Sequence, residues 1–132
     1  MSYNGWENYE TWLLSYHNFI ENWVDLYTSN IDNCKSKKEI NEYLNKMGLG
    51  NIQEFMHDVD LNSIEQFIQK DFETLYENEI KNSSLIIKDF FYACVDTVNW
   101  NELAKAVYND TRKALQEKLN ILDKNQNLAP SN

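Results

Sequence analysis

Apolar residues recur at steps of three and four along most of the chain, the spacing of one face of an α-helix. The first such stripe is Trp12, Leu13, Tyr16, Phe19, Ile20, Trp23, Val24 and Tyr27. It predicts one helix from about Asn8 to Tyr27, with Asn8 as its cap, Glu10 near the positive end of the helix dipole and Trp6 folding back as a staple. Ser36-Lys37-Lys38-Glu39 has the form of a capping box before Ile40, Tyr43, Leu44 and Met47, and Gly48 is placed to end that helix in the left-handed conformation. Between Gly50 and Leu61, the residues Ile52, Phe55, Met56 and Val59 fit a short helix better than a strand. Ser63-Ile64-Glu65-Gln66 predicts a further start, followed by Ile64, Phe67, Ile68, Phe72, Leu75, Tyr76 and Ile80. Asn82, Ser83 and Ser84 interrupt the pattern. Leu85, Ile86, Ile87, Phe90, Phe91, Cys94, Val95 and Val98 then predict a buried helix. Asn99-Trp100-Asn101-Glu102 opens the last one, whose stripe runs through Leu103, Ala104, Val107, Thr111, Ala114, Leu115, Leu119 and Leu122. The expectation is one all-α domain of four to six helices over residues 1–123, its first and last helices packed through Trp12, Trp23 and Trp100. Residues 124–132, which hold Pro130, are expected to form a flexible C-terminal tail.

The 132 residues suit one domain, and 42% hydrophobic with 14% aromatic content supplies a core. The balance of 21 acids against 12 bases leaves a net charge of -9. That charge is uneven: residues 1–30 hold four acids and no base, residues 61–99 carry a net -4, and residues 100–132 carry +1. No run reaches the ~18 apolar residues that span a bilayer, and the opening residues lack the basic and apolar regions of a signal peptide, so a location in the host cytoplasm is expected. Cys34 and Cys94 are too few for a disulfide framework and are expected to be reduced, Cys94 as a core hydrophobe and Cys34 in a polar loop beside Lys35.

Candidate chemistry is sparse. Asp58, Asp60 and Asn62 have the spacing of a calcium loop, but Ser63 and Gln69 stand where glycine and glutamate are needed. His17 and His57 with two separated cysteines do not form a usual zinc set, and Gly5, Gly48 and Gly50 make no phosphate loop. No metal and no cofactor are expected, and no enzymatic activity, although an unfamiliar site built on Glu10, His17 and nearby acids is a third reading. Direct binding of nucleic acid is opposed by the sign of the charge. Acids on rigid helices can instead imitate the phosphates of a duplex and occupy the basic groove of a nucleic-acid-binding protein. The pairs Glu21 with Asp25 and Glu73 with Glu77, each four residues apart, together with Asp71, are the candidate partner-binding residues. The alternative is a helical adaptor or assembly protein that dimerises through aromatic residues.

Two segments carry a resemblance. Asn8-Tyr9-Glu10-Thr11-Trp12-Leu13 and Val98-Asn99-Trp100-Asn101-Glu102-Leu103-Ala104 resemble a family of small bacteriophage and mobile-element proteins. Its members open with an Asn-Tyr-Glu-Thr-Trp signature and later start a helix with Val-Asp/Asn-Trp. The resemblance covers both ends of the chain and not the middle, and here Gly5-Trp6-Glu7 stands where many members have a shorter Tyr-Asn lead-in. It implies a phage-like origin. Small acidic phage proteins are often inhibitors of host defence, such as CRISPR or restriction complexes, and that association implies a host nucleic-acid-binding defence protein as the partner.

Overall fold

A computed structural model describes residues 3–17 and 19–128, the side chains of 126–128 excepted. The described residues form seven helices: α1 Tyr9–Tyr16, α2 Phe19–Asp32, α3 Lys37–Lys46, α4 Ile52–His57, α5 Leu61–Ile80, α6 Leu85–Thr97 and α7 Trp100–Leu128. The all-α expectation holds, with seven helices rather than four to six. The additional one arises because the stripe from Trp12 to Tyr27 is split: α1 ends at a His17 cap and α2 restarts at Phe19.

Local signals account for most ends. Ser36 caps α3 by accepting from the Glu39 N–H, while the Glu39 carboxylate turns back onto the Lys35 N–H at 2.8 Å. At the other end of α3, Gly48 takes φ +76°, the Leu49 N–H bonds the Leu44 carbonyl and the Gly48 N–H bonds that of Asn45. That is a Schellman motif, and Leu49 supplies its apolar contact. Helix α4 starts with a complete capping box, Asn51 with Glu54. Gly50 makes room for it, since a Cβ there would stand 2.9 Å from that of Glu54. The start of α5 differs from expectation: Asp60 is the cap, bonding the Asn62 N–H, and Ser63 lies inside the helix. Helix α7 runs on to Leu128, beyond the boundary expected at residue 123, and residues 129–132 lie outside the described part.

Helix α7 is the spine, packed chiefly against α2 and α5. Leu103, Ala104, Val107 and Leu115 of α7 are fully buried against Tyr27 and Ile31 of α2 and Ile64 and Ile68 of α5. At its start, Trp100 lies within 6.1 Å of Phe19 and 5.7 Å of Phe72, ring centre to ring centre, and its indole N–H donates to the Val95 carbonyl at 3.2 Å. The buried indole thereby has its polar atom satisfied. Farther along, α7 ties down the end of α4: the Tyr108 hydroxyl donates to the Phe55 carbonyl at 2.7 Å and Arg112 Nε to that of Met56 at 3.0 Å. These are C-terminal carbonyls with no partner inside their own short helix.

Two core assignments change. Trp23 and Trp100 are buried as expected, but Trp12 is only half-buried and stacks with Tyr3, Tyr9 and Tyr16 outside the main core. Helix α6 was expected to be buried, yet Val95 is its one buried residue. Leu85, Ile86, Ile87 and Phe90 are 75%, 64%, 52% and 67% exposed. The cause is topological: α6 reaches the body through Phe91, Val95 and its contacts with α1, and no second layer lies beyond it among the described residues.

Candidate partner-binding surface

Helical phase decides where the acids lie. Trp23, Tyr27 and Ile31 turn one face of α2 into the core, and Glu21 and Asp25 each sit two residues away, about 200° around the axis. Both are exposed on the outward face. On α5 the buried residues are Ile64 and Ile68, and Glu73 and Glu77 lie about 140° and 180° from Ile68. Glu77 is exposed. Glu73 is half-buried and accepts a hydrogen bond from Gln69 Nε2 at 3.2 Å. Asp71 does not share their face, for it is separated from Glu73 by about 160°. It lines a cleft of about 320 Å³ between α2 and α5, together with His17, Phe19, Asn22 and Trp23. The structure therefore keeps both four-residue pairs as outward-facing units and detaches Asp71 from them.

The bases are used differently. Arg112 is bound to the end of α4, Lys118 Nζ donates to the Asp32 carbonyl at 2.9 Å, and Lys37 pairs with Asp123 at 2.7 Å. That pair is the one ion pair among the described residues, so none of the five candidate acids is in ion-pair contact with a base there.

Other polar groups do not converge. His17 and Glu10 line different clefts, Glu10 belonging to an apolar groove of about 200 Å³ between α1 and α6. No three metal-ligating side chains meet among the described residues. The cysteines are reversed from expectation, Cys34 buried and Cys94 exposed. Burial, then the nearby Glu39, pushes the Cys34 thiol above its ordinary pKa, and its Sγ donates to the Asn30 carbonyl. Both effects work against a reactive thiolate. Among the described residues no helix is long and apolar enough to cross a membrane.

The two segments that carry the family resemblance meet in space. The Asn8 carboxamide oxygen accepts from both the Thr11 N–H and the Thr11 hydroxyl, and its nitrogen donates to the Thr97 carbonyl at 2.6 Å. The Thr11 hydroxyl accepts the Asn99 N–H at 2.8 Å. Glu7 accepts from the Asn99 side chain, while the Glu7 N–H donates to the Glu102 carboxylate at 3.0 Å. Asn99 also caps α7 through the Glu102 N–H. The starts of α1 and α7 are thus capped by one shared polar junction, in which the fully buried Thr11 hydroxyl both donates and accepts. Its role is structural: it ties the start of α1 to the start of α7.

Sequence reasoning missed the exposed apolar face of α6. The available signal was that apolar residues surround this helix, leaving more than one face to cover. No family model, curated protein or solved structure matches the chain.

Proposed function

We propose that this chain is a non-catalytic, phage-like inhibitor that binds a basic nucleic-acid-binding protein of a host defence complex by imitating the charge of nucleic acid. The observation that carries this reading is the asymmetry of the charges. Glu21 with Asp25 stand on an outward face in a stretch, residues 1–30, that holds no base, and Glu73 with Glu77 make no ion pair with Lys70 or Lys81 one turn away, whereas Arg112 and Lys118 are drawn into contacts within the fold. Fixed, unneutralised carboxylates accelerate encounter with a basic groove and displace the counterions that nucleic acid would displace. The defence target itself rests on the family resemblance. The test is capture of the partner from host lysate, followed by binding of Glu21→Lys/Asp25→Lys and Glu73→Lys/Glu77→Lys across a salt series. Each double reversal lowers association rate and affinity at low salt with the helical signal unchanged, because exposed charges contribute little to stability. Parental binding by both would end the charge-mimicry reading.

A second reading, an adaptor that assembles through apolar and aromatic residues, is favoured by the uncovered face of α6.

A further inference from the structure

Asp71 stands apart from the outward acid pairs, and the cleft it lines gives it a separate use. The floor of that cleft is aromatic. Trp23 is buried there, and the Phe19 ring lies 6.3 Å from that of Trp23 and 5.9 Å from that of Phe72, centre to centre. The lips are Leu26 and Leu75, 44% and 62% exposed, with Tyr76 packed 4.8 Å from Phe72. At about 320 Å³ the space is at the lower end of the range for pockets that take a small group. A carboxylate in such a cleft repels an anion and is left unpaired by an apolar group, whereas a flat organic cation pairs with it and stacks on the rings.

The charges around the cleft point the same way. No lysine or arginine lines it. Lys70 stands about 140° to 160° around α5 from Leu75 and Phe72, lines the adjoining groove with Phe67 and Thr74, and makes no ion pair with Asp71. Glu79 follows Asp71 and Leu75 at four-residue steps on the cleft side of α5, and on α2 Asn22 of the lining is one turn from Asp25. Asn22 and His17 can accept further N–H groups, and a guanidinium carries five. Grooves that hold nucleic acid present arginine to phosphate, and arginine is enriched among the residues that dominate interfaces. We propose that this cleft receives an arginine side chain of the basic partner, with Asp71 as its counter-ion, an assignment that rests on the charge-mimicry reading for the protein that supplies it.

The test is titration of N-acetylarginine amide into the isotope-labelled full chain at low salt, followed by amide and indole NMR shifts. Saturable shifts confined to the cleft, at Asn22, Trp23, Asp71 and Tyr76, are expected. Affinity should fall about three- to ten-fold for the neutral isostere N-acetylcitrulline amide and in Asp71→Asn, and N-acetyllysine amide should bind more weakly for lack of a plane to stack. Leu75→Lys sets a tethered ammonium four residues from Asp71 on an exposed lip and should abolish the shifts with the helical signal unchanged. Asp71→Asn should weaken the captured partner by a similar factor. No saturable shift, citrulline or lysine probes that bind as well as arginine, or an Asp71→Asn variant with parental affinity for probe or partner would each overturn the inference. The two readings fail separately. If the probe does not bind while the Glu21/Asp25 and Glu73/Glu77 reversals weaken the partner, the cleft assignment falls and charge mimicry stands. If the probe binds as expected while both reversals bind the partner like the parent, charge mimicry falls and the cleft remains a site for an arginine side chain.

Discussion

Helices α6 and α7 are consecutive, separated by two residues, and both are rich in apolar side chains, yet they stand in opposite relations to the core. Helix α7 buries Leu103, Ala104, Val107 and Leu115 completely between α2 and α5, whereas α6 buries Val95 alone and turns Leu85, Ile86 and Phe90 outward. Apolar content therefore does not report burial. A stripe becomes core only where another element covers it. The acids follow the complementary rule: held outward and unpaired, they contribute little to the fold and are free to steer a partner.

The contrast is sharpest at the aromatic residues. Trp100→Ala, which opens the buried junction of α2, α5 and α7, should destabilise the fold by about 3 to 5 kcal/mol in chemical denaturation. Phe90→Ala should leave the monomer within about 0.5 kcal/mol of the parent, as for a surface site. Equal losses for the two would erase the distinction between the helices. Trp12→Ala falls between, at about 1 kcal/mol, because its half-buried ring stacks on tyrosines rather than filling the core.

The junction of α1 with α7 gives the next effect. Thr11→Val removes a buried hydroxyl that serves Asn8 and Asn99 at once, leaving the Asn99 N–H without its acceptor, and should cost about 1 to 3 kcal/mol. Thr111→Val on α7 is the control. Its hydroxyl is equally buried and has no partner among the described residues, so the same substitution should be neutral or slightly stabilising. Comparable losses in urea titrations of the two variants would show that the junction contributes nothing specific.

A smaller effect appears at high pH. Burial, and secondarily Tyr43, raises the Tyr27 hydroxyl above its ordinary pKa, and Tyr43 is raised mainly by its own burial. A raised pKa means that the folded state holds the proton more tightly, so the stabilisation is complete below the unfolded value near pH 10 and is lost as pH climbs beyond it. Stability should fall above about pH 10, and Tyr27→Phe should flatten that fall, as read from urea midpoints across alkaline pH.

What the sequence made legible was local. Ser36 with Glu39, Gly48 after Met47, and Asn99 with Glu102 are pairings within one turn, and each occupies the place expected of it. The Asn51 and Glu54 box was equally local and readable from the same Asn-x-x-Glu pattern as Asn99 and Glu102. The split at His17 was not readable, because the apolar stripe continues through it, and neither was the junction of Thr11 with Asn99, which joins residues 88 apart. Nor was the exposure of α6, since periodicity identifies an apolar face without naming what covers it. The acid pairs were legible as faces, because four-residue spacing fixes phase within a helix. Their separation from Asp71 follows from the same arithmetic.

Amide hydrogen exchange tests the contrast between α6 and α7 most directly. The account predicts that the central amides of α7 around Val107 exchange only at the rate set by global unfolding, while those of α6 around Phe90, held to the body chiefly through Phe91 and Val95, exchange many-fold faster through local opening. Protection of α6 as high as that of α7 would contradict it.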